Sequence, residues 1–156
     1  MSDGTTPTLY EWAGGLPALE RLTDIFYQRV PDDPLLAPLF ARMDAHHPRF
    51  VALFLAEVFG GPASYSQERG GHHGMLLKHV GRHLDEAQRA RWMALLLECA
   101  DAAGLPDDPE FRSAFVGYVE WGTRLAVLNS HLDQAPADQA PMPRWGWGET
   151  GGPYQG

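Results

Sequence analysis

Arg69-Gly-Gly-His-His-Gly-Met-Leu-Leu-Lys-His-Val-Gly-Arg-His-Leu84 decides how the rest of the chain is read. It carries four of the seven histidines: His72, His73, His79 and His83. Gly70, Gly71 and Gly74 disfavour helix at its start. Leu76, Leu77, His79, Val80 and His83 then recur at helical spacing. The stretch predicts a loose, glycine-rich approach and a short helix that presents His79. Neutral imidazole offers a lone pair, so a histidine set among apolar residues can ligate a metal. The plainer alternative is a core histidine satisfied by a hydrogen bond. Spacing alone does not separate the two.

Toward the amino terminus, Ser64, Tyr65 and Ser66 read as a loop. Before them, Phe50, Val51, Phe54, Leu55, Val58 and Phe59 predict a strongly apolar helix. Asp44 is its candidate cap, and Pro48 is tolerable only in its first turn, where an amide is unpaired anyway. His46 and His47 sit in that turn, and Gly60-Gly61-Pro62 stops the helix. Pro34 to Phe40 has room for a turn or two, ending in an aromatic. Pro17 opens an earlier helix with Leu19, Leu22, Ile25, Phe26 and Val30 on one face. Tyr27 falls near its end, and Pro31 stops it. Residues 1–8 read as a disordered or capping start.

Toward the carboxyl terminus, Asp85 and Gln88 form a candidate capping pair. Behind them Trp92, Leu95, Leu96, Cys99 and Ala103 share a helical face, closed by Gly104 and Pro106. Asp108 and Pro109 open a last long helix. It turns Phe111, Phe115, Tyr118, Val119, Gly122, Leu125 and Leu128 inward and fades between Asn129 and His131. No strand or hairpin pattern occurs, so the predicted fold class is all-α. From Leu132 onward the composition changes. Pro136, Pro141, Pro143 and Pro153, with five glycines from Gly146 to Gly156, forbid regular structure. Trp145, Trp147 and Tyr154 nonetheless make this stretch too apolar for a plain disordered tail. The reading is a domain over 1–131 and an irregular arm over 132–156, packed on that domain or on a partner chain.

At 156 residues the chain can bury one real core. A formal net charge of -8 argues against nucleic acid and anionic membrane as partners. No apolar run is long enough to span a bilayer, and the first thirty residues show no export signal, which points to the cytoplasm. Cys99 is the only cysteine, which excludes an intrachain disulfide and a cysteine-based zinc site. Lys78 is the only lysine; with Arg82 one turn on, it makes a local cation pair beside His79 in an otherwise acidic chain.

Taken together, these residues resemble a truncated haemoglobin of group II. The resemblance is carried by Gly14-Gly15, Phe26-Tyr27, Phe40, Gly60-Gly61-Pro62 with Tyr65 and Ser66, Gly71-His72 through Lys78-His79, Trp92, and Leu128-Asn129-Ser130. These pieces keep the family's order and approximate spacing across residues 9–131. The resemblance implies a globin-like two-over-two helical sandwich around one haem b, with His79 as the iron's proximal ligand. A single imidazole leaves the sixth position open to a diatomic gas. It further implies that Tyr27 and Trp92 line the distal side as hydrogen-bond donors, and that Phe40 packs on the haem face where some members carry tyrosine. Counting back from Gly60 places His47 and Val51 at the distal-helix positions that face the iron, with His46 as the competitor of His47. Phe54 and Leu77 supply apolar wall, and Lys78 and Arg82 stand where propionates need partners.

The implied function is binding of dioxygen, nitric oxide and carbon monoxide. Its use is oxygen transport, dioxygen-dependent removal of nitric oxide, or peroxide chemistry; residue types do not choose among them. A reductase and a second copy of the chain are the further partners this reading admits. Two alternatives belong to other classes: a non-haem metal enzyme using His72, His73, His79 and His83, and a helical interaction module using the tryptophan-rich arm. No acidic residue lies between Arg69 and Leu84, so a zinc-protease arrangement is missing from the first.

Overall fold

A computed structural model of the protein describes residues 5–134 and 141–155. The first four residues of the expected amino-terminal start, and Pro136 and Gly156 of the arm, lie outside the described residues. Seven α-helices run in order: α1 (Leu9–Ala13), α2 (Gly15–Arg29), α3 (His47–Val58), α4 (Ser64–Arg69), α5 (Gly71–His79), α6 (Glu86–Ala102) and α7 (Pro109–Ser130). Three-residue or four-residue 3-10 turns cover Val30–Asp32, Ala37–Phe40 and Gly148–Thr150. Among the described residues there is no strand.

Local chemistry explains most boundaries. Thr8 and Glu11 exchange side-chain and backbone bonds in a capping box ahead of α1. Asp85 and Gln88 do the same for α6. Asp108 accepts from the Phe111 amide, with Pro109 at the first position of α7. Each device satisfies amides that the first helical turn leaves unpaired. α2 stops at Arg29, and Pro31 falls in the following 3-10 turn.

The helices pair as two layers. α2 packs on α3, α6 packs on α7, and α2 also lies against α6. This is the two-over-two sandwich. Its shared interior holds Leu19, Leu22 and Phe26 of α2, Val58 of α3, Leu96 and Cys99 of α6, and Phe111 and Phe115 of α7, all at most 1% exposed. Burying each large side chain contributes roughly 1.5–3 kcal/mol. Arg89 of α6, only 9% exposed, ties the second layer: it donates to Glu86, to Glu120 at 3.2 Å and to Thr123 at 3.2 Å.

The chain crosses itself closely at the end of α3. Gly60 has φ +99°, and a Cβ there would lie 2.8 Å from the Thr8 side chain. A Cβ on Gly61 would meet the Ala56 carbonyl and the Tyr10 ring, each at 2.8 Å. Only glycine lets the amino-terminal segment pass at this distance.

Five expectations are corrected. Ser64–Arg69 is a short helix rather than a loop. Its Ser66 amide donates to the buried Glu57 carboxylate at 2.8 Å, and the Ser66 hydroxyl donates to the same group. The glycine-rich approach is already helix, since α5 begins at Gly71; Gly74 lies so close to the Arg69 carbonyl that no Cβ would fit. The helical spacing does not continue to His83. α5 ends at His79, and Gly81 and His83 have φ +78° and +51°. Their amides bond to the Leu132 and Ser130 carbonyls at 3.0 and 2.9 Å, and these long-range partners replace the next helical turn. Asp44 does not cap α3; its carboxylate closes a turn onto the His46 amide at 2.7 Å, one residue before the helix. Leu128, expected inward, is 69% exposed; Asn129 and Ser130 take the buried face at this end of α7 instead.

The arm packs on its own domain over the described residues. The Trp145 amide donates to the Val58 carbonyl at 2.8 Å. The Trp145 ring lies 5.5 Å from Tyr118 and 5.7 Å from Trp121. The Trp147 indole N–H donates to the Pro7 carbonyl at 2.8 Å, and its ring meets Trp12 edge-on at 6.2 Å. Tyr154, by contrast, is 56% exposed.

Candidate haem site

Tyr27 lies one turn before the end of α2, and its ring is buried. The bend through the Ala37–Phe40 turn brings Phe40 edge-on to it at 5.5 Å. The first turn of α3 brings His47 edge-on at 5.0 Å from another side. The Tyr27 hydroxyl and His47 Nε2 are 3.0 Å apart. Trp92 reaches the same place from α6: its ring meets Phe26 at 5.2 Å, and its side chain stands beside the Tyr27 phenol, where it lowers the phenol's pKa against the larger effect of burial. The Trp92 indole can only donate. The Tyr27 O–H donates to His47 Nε2, and the Trp92 indole stands beside this pair as a further donor.

Electrostatics support this direction. Burial pushes the Tyr27 phenol far above its ordinary range, so it keeps its proton. Burial also pushes His47 down, to about 4, helped by the positive charges of Lys78, Arg82 and His79. A neutral imidazole can accept the tyrosine proton; a charged one cannot. His46 is exposed, and its ring lies 6.3 Å from Phe50, away from this cluster. His47 is thus the histidine that joins Tyr27. Val51 follows His47 by four residues and shares its face of α3, half-buried against the core. Phe54, one turn further, packs edge-on to Tyr65 at 5.0 Å.

His79 is the last residue of α5. Its Nδ1–H donates to the Met75 carbonyl at 3.0 Å, one turn back in the same helix. That bond fixes ring and tautomer and presents the Nε2 lone pair. Burial first of all shifts His79 below its ordinary pKa, which keeps that lone pair free. Lys78 and Arg82 flank it. The Arg82 Nε donates to the Lys78 carbonyl at 2.5 Å, and the Lys78 ammonium lies 5.6 Å from the Phe50 ring centre. Leu77 is 55% exposed; the residue that α5 buries here is Leu76.

Sequence reasoning named Tyr27, Trp92, Phe40 and His47, and the fold brings these four together. It missed the Met75 carbonyl, although a spacing of four in a helix is the signal for such a bond. It also missed Phe50, whose ring gathers Arg69 at 4.1 Å as well as Lys78. The alternative donor set of His72, His73, His79 and His83 does not assemble. His83 lies beyond the end of α5, and among the described residues no three His, Cys, Asp or Glu side chains are placed to share a metal ion.

These residues fit a haem. The His79 imidazole is held through Nδ1 so that Nε2 is free, aromatic and aliphatic side chains form walls, and two cations stand beside His79. Residues 8–116 match the bacterial-like globin family. The chain is 30% identical over 120 residues to the group 2 truncated haemoglobin YjbI of Bacillus subtilis, covering 76% of this chain and 88% of that one. It belongs to the group II truncated haemoglobins. The solved structure of truncated oxygen-avid haemoglobin from Bacillus subtilis superposes with a TM-score of 0.69 at 30% identity, over 78% of this chain and 99% of that one. Haemoglobin from Chloroflexus aurantiacus gives 0.68 at 34% identity, over 77% and 97%. As a globin, this truncated haemoglobin uses haem and binds diatomic gases at it. Among the described residues no helix is long and apolar enough to cross a membrane.

Proposed function

We propose that this truncated haemoglobin holds haem b through His79 Nε2, binds dioxygen reversibly and releases it slowly. The observation that carries this reading is the buried polar cluster of Tyr27 and His47, hydrogen-bonded at 3.0 Å, with the Trp92 indole beside Tyr27. A haem in the site supplies a ferrous iron with one position open to a diatomic gas. Phe40, Val51 and Phe54 exclude water from that position. Leu77 offers the haem an exposed apolar side chain, and Lys78 and Arg82 offer cations to its propionates. Dioxygen polarised by ferrous iron carries partial negative charge, whereas carbon monoxide carries much less. Turned from its His47 partner toward the gas, the Tyr27 O–H would favour the first selectively, together with the Trp92 N–H and the remaining N–H of His47.

Slow release suits chemistry better than transport. We favour dioxygen-dependent conversion of nitric oxide to nitrate, with peroxide chemistry second and oxygen transport third. Conversion of nitric oxide would need a partner reductase to return the iron to the ferrous state. We place the protein in the cytoplasm and regard a homodimer as compatible with the site. The boundary between a globin domain over 1–131 and an arm over 132–156 is part of the same proposal.

One net hydrogen bond to a partly charged acceptor in a dry pocket contributes roughly 1.5–3 kcal/mol. At about 1.4 kcal/mol per factor of ten, losing one donor should speed release by about ten- to a hundredfold. Stopped-flow dioxygen dissociation should show this for Tyr27→Phe and for Trp92→Phe, with a much smaller change for carbon monoxide. The double variant should fall short of the product of the singles, because both donors address the same ligand and the survivor can shift to compensate. Parent-like dioxygen release in all three variants and in His47→Ala would remove the reading.

A further inference from the structure

We propose that His83 and His131 form a second metal site, separate from the Tyr27–His47 cluster, that takes one divalent transition-metal ion of the zinc type. His131 is the residue that follows α7, and His83 lies in the short connection after α5. Both side chains are exposed. Their Nδ1 atoms face each other at 3.4 Å.

The tautomers follow from the partners. His131 Nε2 lies 2.9 Å from the Leu84 carbonyl, which can only accept. The proton of a neutral His131 is therefore on Nε2, and its Nδ1 lone pair points at His83. Such an imidazole, its far nitrogen held by a backbone carbonyl, is how metal-ligating histidines are ordinarily oriented. The separation then discriminates between two uses of the pair. A direct hydrogen bond to nitrogen would sit near 3 Å, so 3.4 Å is long for one. Two nitrogens each about 2.0–2.1 Å from a tetrahedral zinc ion are about 3.3–3.4 Å apart. The rings are not stacked either: their planes cross at 60° with centroids 5.5 Å apart.

The backbone holds this arrangement under strain. His83 is the only non-glycine among the described residues with positive φ, at +51°. Its amide donates to the Ser130 carbonyl at 2.9 Å, and the Leu84 amide donates to the Ser130 hydroxyl at 2.9 Å. Gly81 adds a bond to the Leu132 carbonyl at 3.0 Å. Three bonds thus fix the connection against the end of α7 in the conformation that aims His83 at His131. Strain of this kind persists where the surroundings over-determine it, often at ligand clamps. No third His, Cys, Asp or Glu joins the pair among the described residues, so water completes the shell. His131 lies beyond the 8–116 stretch matched by the globin family.

Bound metal would staple the residues that directly follow His79 to the end of α7. Imidazole nitrogen suits zinc, nickel and copper. Zinc is the probe of choice because it is redox-inert and leaves the haem iron unchanged. The test is calorimetric titration of zinc chloride into the haem-loaded protein, beside His83→Gln and His131→Gln. Expected are one saturable equivalent in the parent, a loss of affinity of at least tenfold in each variant, and a zinc-dependent rise in melting temperature confined to the parent. Absence of saturable binding, or parent-like binding in both variants, overturns the proposal. Should a variant fail to fold, anomalous scattering from zinc-soaked parent crystals decides. A peak between the two Nδ1 atoms supports the site, and a peak elsewhere or none refutes it.

Discussion

His47 and Tyr27 meet across 3.0 Å, and the charge state of His47 decides what that contact can do. Burial holds the folded-state pKa of His47 at about 4, against about 6.5 for an exposed histidine. As pH falls through about 6.5 the unfolded chain takes up the proton first. The folded chain takes it up only near 4. The stability that a neutral, buried His47 contributes is therefore full above about 6.5, shrinks as pH falls toward 4, and is flat below. Urea denaturation of the parent and of His47→Phe at pH 7.5, 6, 5 and 4.5 should show the difference in stability moving against the parent as pH falls. Parallel curves would place His47 in solvent. His79 permits a second check. His79→Gly should lose tight haem binding, and added imidazole should partly restore the Soret band. If His79→Gly keeps haem tightly while His83→Gly loses it, the ligand has been assigned to the wrong histidine.

At the scale of elements, α4 shows how a helix can be hidden from sequence. Nothing in Ser64–Arg69 is periodic or apolar enough to predict it. Its amino-terminal turn is satisfied by Glu57, nine residues earlier and 1% exposed. Removing the Ser66 hydroxyl deprives that buried carboxylate of a donor. Ser66→Ala should therefore cost about 1–3 kcal/mol in urea denaturation. A cost below about 0.5 kcal/mol would mean that water replaces the hydroxyl there. α6 and α7 were legible because their caps are local: Asp85 with Gln88, and Asp108 with Pro109. The end of α5 was not, because the bonds that halt it come from Ser130 and Leu132, some fifty residues on. The site follows the same rule. Tyr27 and Trp92 were named through family resemblance, since apolar spacing alone would have made both plain core. His47 was separated from His46 only by the three-dimensional turn that aims one ring at Tyr27 and leaves the other exposed.

On the scale of the whole molecule, the arm adds contacts between parts of the chain far apart in sequence. Trp145 bonds the end of α3 and packs edge-on against Tyr118 of α7, while Trp147 bonds the segment before α1. Trp12, which Trp147 covers, in turn donates to Asp108 at 2.9 Å, the residue that caps α7. Through these described contacts the arm braces both ends of the sandwich. A half-buried tryptophan gives up part of the roughly 150–250 Å² that its ring can bury, and aromatic pairs add about 0.5–1.5 kcal/mol each. Two such residues should contribute on the order of 3–5 kcal/mol, less the entropy of ordering the segment. Truncation after Leu132 should then lower the melting temperature by roughly 5–10 °C in a domain of this size. The Soret spectrum and the dioxygen release rate should stay at parent values. Trp145→Ala alone should produce about half the thermal effect, which separates packing from mere chain length. Solution mass adds a third reading. If the truncated protein melts like the parent but changes from dimer to monomer, the arm's contribution lies between chains; if neither melting nor mass changes, its aromatic contacts stabilise nothing.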